Sequence, residues 1–230
     1  MKISVITLFP SVISTYLNTS IMKRAQKKGL IQVEVIDLRE FGTGKHKSVD
    51  DTPYGGGAGM ILRADVLADA LKSITKKTST INHKLYTIFT SPSGKTFNQQ
   101  KAKDLSKLSH IVLICGHYEG VDQRFIDKYV DEEISVGDYV LTGGELPALT
   151  VIDATVRLLK GVLEKEEATR FESFENNLLE HPHYTRPENF EGEKVPEVLT
   201  SGNHQKIADW KKEKSLEKTT KIRRDLLDLN

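Results

Sequence analysis

Apolar residues along this chain fall into two alternating rhythms. Residues 2–8, 31–38, 84–90 and 110–115 are short runs rich in Ile, Val, Leu, Tyr or Phe, of strand length. Between and after them, residues 20–28, 64–77, 98–108 and 122–130 read as helices; in the second, Val66, Leu67, Ala70, Leu71 and Ile74 recur at helical spacing. The first of these helices runs into Gly29, a natural helix end because glycine enters left-handed backbone freely. Strands alternating with helices predict an α/β fold: a mostly parallel sheet with helices on its faces. Ligands of such sheets bind at the carboxyl ends of the strands. The turn Ser91-Pro92-Ser93-Gly94 and the loop 115–120 both fall there.

The stretch 134–150, ISVGDYVLTGGELPALT, organises the rest. A strand end leads into a helix predicted over 145–159, with Gly137, Gly143 and Gly144 between them and Pro147 in the first helical turn, where a missing N–H costs little. Glycines at such a junction let a ligand reach main-chain N–H and C=O groups directly. Together with the loop 115–120, this predicts one small-molecule pocket. After Gly161 the pattern dissolves, which predicts a first domain over 1–162 and a flexible linker over 163–177. Residues 178–230 then form a small domain, irregular around Pro182, Pro187 and Pro196 and helical over 203–216 and 217–229.

Composition narrows the class. Of 230 residues, 38% are hydrophobic and 28% charged, as in ordinary globular chains, and no apolar run is long enough to span a membrane. The first residues lack a secretory leader and read as a strand. The single cysteine, Cys115, cannot form an internal disulfide, so a cytoplasmic location is expected, and its apolar neighbours predict a buried strand residue rather than a nucleophile. The net charge is only +1, but residues 113–193 carry seven basic and eighteen acidic groups, net −11, between basic flanks. Basic ends suit a polyanion, and any one segment reads equally well as ordinary solvated helix faces.

Several apparent motifs fail on inspection. The cluster Pro53 to Met60 is not a dinucleotide fingerprint, because no strand runs directly into it and the G-x-G-x-x-G spacing with a following acidic residue is absent. Gly94-Lys95-Thr96 ends like a phosphate loop, but Phe89 stands where the first glycine is required. His181 and His183 have no cysteine or carboxylate at a ligand spacing, so they read as a rigid polar turn and no metal site is expected. His46, Asp50, Asp51, Pro53 and Tyr54 around the glycine cluster favour a substrate loop. Arg157, in an otherwise apolar helix, and Glu172, in the linker, are not distinguished from ordinary polar residues by their surroundings.

Six stretches in order carry a specific likeness: VDDTPYGGGAGM (49–60), SPSGK (91–95), CGHYEGVD (115–122), SVGDYVLTGGELPA (135–148), HPHYTRPENFEG (181–192) and VPEVLTSGNH (195–204). The chain resembles bacterial tRNA (guanine-N1)-methyltransferases of the knotted methyltransferase superfamily. The resemblance implies a C-terminal trefoil knot in the α/β domain, a linker and a small helical tRNA-binding domain. It implies S-adenosyl-L-methionine as methyl donor, held by Thr90, Ser91 and Pro92, by Gly116, Tyr118 and Glu119, and by Val136, Gly137, Asp138, Tyr139, Val140 and Leu141. Gly143, Gly144 and Pro147 would complete that set.

The same resemblance implies methylation of N1 of guanosine 37 in tRNA, preceded by guanosine 36, by a cytoplasmic homodimer with no membrane or DNA partner. A linker carboxylate would take the N1 proton, and the position maps onto Glu172, where the family has aspartate; the assisting arginine maps onto Arg157. Asp51, Tyr54 and Gly57, with His183, Tyr184, Arg186, Ser201 and Asn203, would contact the RNA. A need for Mg2+ cannot be read from the sequence. Relatives are expected to continue for another helical stretch beyond this chain's end. Rival readings are a knotted ribose 2′-O-methyltransferase and a non-catalytic RNA-binding relative.

Overall fold

The computed structural model describes residues 1–78, 85–164 and 172–228. The chain divides into two compact units, Met1–Glu164 and Lys165–Asn230. In the first, β1 (Lys2–Thr7) leads through α1 (Pro10–Leu17) and α2 (Ser20–Lys27) to β2 (Gln32–Asp37). A short pair, β3 (Asp50–Asp51) and β4 (Ile61–Leu62), brackets the glycine cluster. Then follow α3 (Ala64–Thr78), β5 (Tyr86–Thr96), α4 (Gln99–Leu105), β6 (His110–Cys115), α5 (Gln123–Tyr129), β7 (Glu132–Ser135) and α6 (Glu145–Val156).

Five strands form one sheet in the order β2-β1-β6-β5-β7, and all four pairings are parallel. Every residue of β6 is buried, as a central strand covered on both faces must be. Ile111, Leu113 and Cys115 face a layer containing Ile13 and Leu17 of α1, Ala25 of α2 and Ile152 of α6. Val112 and Ile114 face Leu67, Leu71 and Ile74 of α3 and Phe125 of α5. Each such aliphatic side chain contributes about 1.5–3 kcal/mol by leaving water. Because β5 lies between β6 and β7, the chain leaving these three strands meets at one end of the sheet.

The strands match the predicted runs closely, and Asn98 and Asp122 turn out to cap α4 and α5 rather than begin them, each accepting a backbone N–H. Three expectations need correction. Helix α1 is not foreshadowed by its sequence: it is short and holds the β-branched Val12, Ile13 and Thr15, so it depends on burying Ile13 and Leu17. Strand β5 does not end in a turn at Thr90 but runs to Thr96; Thr90 and Lys95 both pair with Ile134, so residues 91–94 are extruded within the strand. A Cβ on Gly94 would come within 2.5 Å of the backbone of Glu133 and Ile134, which is why glycine stands there. Helix α6 stops at Val156, and Arg157 is its C-terminal cap residue rather than an interior one.

In the second unit, β8 (Asn189–Phe190) and β9 (Glu193–Lys194) form a small antiparallel pair, followed by α7 (Glu197–Thr200) and α8 (His204–Ile222). One continuous helix, α8, replaces the two expected over 203–216 and 217–229; no glycine or proline interrupts it, and Lys214 pairs with Glu217 across the expected break at 2.6 Å. Of the expected linker, residues 165–171 lie outside the described residues. Residues 172–178 form a turn in which Phe174 N–H donates to Leu178 O at 2.7 Å and Glu175 N–H donates to Glu172 O at 3.2 Å.

Candidate active site

The ends of β5, β6 and β7 surround a cleft of about 430 Å³. Main-chain contacts between its glycine loops shape its walls. Thr90, buried at the end of the regular part of β5, sets its Oγ1 3.2 Å from both Ile114 O and Gly144 O. The Gly144 N–H donates to Gly116 O at 2.8 Å, and Gly143 bridges His117. A Cβ on Gly144 would stand 2.4 Å from Thr90 Oγ1 and 2.6 Å from the Gly116 nitrogen, so only glycine lets these two loops touch. A Cβ on Gly116 would meet the Phe89 ring at 2.8 Å.

The segment after β7 is shaped by hydrogen bonds of its own. Ser135 Oγ donates to Gly137 O and accepts from Gly137 N–H. The Tyr139 N–H donates to Gly137 O at 2.9 Å, and its phenol donates to Val136 O at 3.2 Å. Gly137 adopts φ +151°, in the region that favours glycine. Of the residues expected to hold a donor, Thr90, Ser91, Pro92, Gly116, Tyr118, Glu119, Val136, Gly137, Tyr139, Val140, Leu141, Gly143, Gly144 and Pro147 line this cleft. Asp138 does not: the bond from Tyr139 back to Gly137 leaves it at the apex of a tight turn, exposed. His117, Ser135 and Thr142 line the cleft without having been singled out. The one signal for His117 was its place inside CGHYEGVD.

The glycine cluster joins the same neighbourhood. Glu119 N–H donates to Met60 O at 3.0 Å, and a Cβ on Gly59 would meet the Glu119 side chain at 2.4 Å. Asp51 and Tyr54 line a second hollow of about 670 Å³ with Arg63, Asp122, Arg124 and Lys128. Tyr54 is 99% exposed, and Gly57 has φ +119° with open space around its α-carbon. Bidentate pairing with Arg124 holds the Asp122 carboxyl below the usual range, and Arg63 does the same for Asp65. The basic residues of this hollow carried no sequence signal.

Cys115 is buried, as expected, and burial, then the nearby Glu145 charge, pushes its thiol well above its ordinary value. It therefore has no nucleophilic character.

In the second unit, His183 Nε2 lies 3.0 Å from Glu180 Oε1, and the His181 and His183 rings are 4.6 Å apart. The absence of a carboxylate near these histidines is thus corrected: ligand-capable atoms of Glu180, His181 and His183 lie within 4.8 Å of one another. Glu180 escaped notice because it directly precedes His181 rather than standing at a familiar ligand spacing. Tyr184 leans on Trp210 at 6.2 Å, and Arg186, exposed, precedes a cis proline. Ser201 Oγ donates to Val198 O and accepts from Asn203 N–H, while Asn203 Oδ1 accepts from Lys206 N–H to cap α8. Both side chains thus serve the turn between the helices. Arg157 belongs to the first unit and Glu172 to the second.

No helix among the described residues is long and apolar enough to cross a membrane. The family model described as tRNA (Guanine-1)-methyltransferase TrmD matches residues 1–229. A tRNA (guanine-N(1)-)-methyltransferase of Clostridioides difficile is 53% identical over 98% of this chain and 97% of the relative. One from Anoxybacillus flavithermus is 51% identical over 99% and 92%, respectively. Another from Endomicrobium trichonymphae is 47% identical over 99% of both chains. A match of this extent, over both units and all six quoted stretches, establishes that the chain belongs to the tRNA (guanine-1)-methyltransferase TrmD family.

Proposed function

We propose that this chain transfers the methyl group of S-adenosyl-L-methionine to N1 of guanosine 37 in tRNA, with guanosine 36 preceding the target. The observation that carries this reading is the cleft at the ends of β5, β6 and β7 in a chain whose relatives are named for guanine-N1 methylation. The cleft suits the donor: its volume of about 430 Å³ is that of a small-molecule site, and its glycine-rich walls present main-chain donors and acceptors suited to an adenine edge. When bound, the donor supplies a methyl group already activated by its sulfonium charge.

The acceptor needs help, because guanine N1 carries a proton and its removal places negative charge on O6. A base near N1 and a cation near O6 are required. Glu172 is the proposed base and Arg157 the proposed cation. Residues 1–162 are read as the knotted donor domain, 163–177 as the linker and 178–230 as the tRNA-binding domain. The donor domain is proposed to carry the trefoil knot that goes with this reading. A homodimer is proposed to complete each site; the exposed apolar residues Tyr139, Val140 and Leu146 beside the cleft support a covering partner. Asp51, Tyr54 and Gly57 are proposed to meet the splayed anticodon loop, and His183, Tyr184 and Arg186 its neighbouring bases and phosphates. For Ser201 and Asn203 an indirect role through the turn they close is proposed. A cytoplasmic setting goes with this substrate.

The test is labelled methyl transfer to an anticodon stem-loop carrying paired guanines, with nucleoside analysis of the product. The expected product is 1-methylguanosine, and adenine at the target position should abolish transfer. A ribose-methylated product would refute guanine-N1 chemistry. Glu172→Ala should slow single-turnover transfer on the order of 10²-fold or more; an unchanged rate would remove Glu172 from the mechanism.

A further inference from the structure

Behind the cleft, at the carboxyl end of β1, one hydroxyl ties several segments together. Thr7 is fully buried. Its Oγ1 donates to Glu145 Oε1 at 2.7 Å and accepts from the Phe9 N–H at 2.9 Å. Glu145, the first residue of α6, is itself only 7% exposed. Its second oxygen fills the space beside Gly143, where a Cβ would come to 2.5 Å. His117 bounds the same space, with ring atoms 3.3 and 3.5 Å from that point. The Phe9 ring in turn tilts against the His117 imidazole at a centroid distance of 5.1 Å. His117 Nδ1 accepts the Tyr118 N–H at 2.9 Å, so the neutral ring carries its proton on Nε2.

Thr7, Phe9 and Glu145 stand outside the lining of the cleft, whereas Gly116, His117, Gly143 and Gly144 form its wall. A carboxylate out of water is costly unless held by hydrogen bonds, and a purely apolar contact would fill this space more cheaply. What the carboxylate adds is direction: it is fixed at one end by Thr7 and abuts the glycine turn at the other.

We propose that Thr7 and Glu145 are positioning residues for donor binding, the hydroxyl orienting the buried carboxylate and the carboxylate setting the separation between the 143–144 turn and His117. This rests on the reading of the cleft as the S-adenosyl-L-methionine site. Neither residue touches the donor; both act through the wall.

The experiment is calorimetric titration of the purified full chain with S-adenosyl-L-methionine, alongside thermal melts. Thr7→Val keeps the shape but removes the hydroxyl, and donor binding should weaken on the order of tenfold in folded protein. Thr7→Ser should restore it, and Glu145→Gln, which keeps an acceptor oxygen for Thr7, should stay close to wild type. A merely structural pair would lower the melting temperature and leave the dissociation constant alone, and that result would overturn the proposal. So would Glu145→Gln weakening binding as much as Thr7→Val. If Thr7→Val does not fold, Glu145→Met against Glu145→Gln decides: loss with Met alone supports the pair, and equal affinities refute it. Failure of the wild-type chain to bind the donor would instead sink the reading of the cleft.

Discussion

Replacing Gly144 by alanine isolates one physical cause. Its backbone, φ −83° and ψ −1°, is open to any residue, so the substitution meets no dihedral penalty. The entire effect comes from the added methyl. That carbon would stand 2.4 Å from Thr90 Oγ1, 2.6 Å from the Gly116 nitrogen and 2.8 Å from the Cys115 α-carbon. Two of those atoms are backbone belonging to or adjoining the central strand β6 and cannot swing aside. Overpacking costs about 1–3 kcal/mol and more where neighbours are rigid, so about 3 kcal/mol is expected here. The stiffer unfolded chain returns roughly 0.4–1 kcal/mol. A net loss of about 2 kcal/mol lowers the melting temperature of a chain this size by about 4–8 °C. Because Thr90 and Gly116 both line the cleft, donor affinity should fall as well. Differential scanning fluorimetry and donor titration read the two effects. Gly57→Ala is the contrast: nothing lies within 4 Å, but φ is +119°, so its cost is one of backbone conformation and leaves donor binding unchanged. A Gly144→Ala chain with wild-type melting and wild-type affinity would refute the steric argument.

Two further outcomes follow from one buried and one half-buried polar group. Thr155 is fully buried in α6 and its hydroxyl has no hydrogen-bond partner among the described residues; Thr155→Val should stabilise by about 1–2 kcal/mol, and a lowered melting temperature would contradict this. Burial, and then the bond from its phenol to Glu132 at 2.9 Å, push Tyr86 up to about 12. An unfolded phenol titrates near pH 10, so this contribution to stability is complete below pH 10 and is lost as the pH rises from about 10 to 12. Ultraviolet titration should show a last-ionising phase that is missing in Tyr86→Phe, and the stability margin of wild type over that variant should shrink across the same window. Ionisation of Tyr86 with the exposed tyrosines would refute it.

Local pattern was enough for the sheet. The runs over β1 and β6 are apolar because both faces of these strands, or nearly so, are covered, whereas edge strand β2 alternates Val33 and Val35 with Gln32 and Glu34. The loops around Gly116, Gly143 and Gly144 were legible for a similar reason: a backbone that must be approached closely excludes side chains, and glycine records this in the sequence. What could not be read there depends on partners distant along the chain. Helix α1 exists because Ile13 and Leu17 find the sheet, not because its residues favour a helix. Asp138 and Tyr139 are equally polar or exposed in sequence, yet one turn bond sends the first outward and leaves the second on the cleft. The pairing of Thr7 with Glu145 spans 138 residues, and neither neighbourhood hints at the other. Sequence by itself determined which stretches could be strands and where side chains had to be absent, since those demands act on neighbours. Only the tertiary structure decided which polar atoms meet, because a hydrogen bond depends on positions in space that no local period encodes.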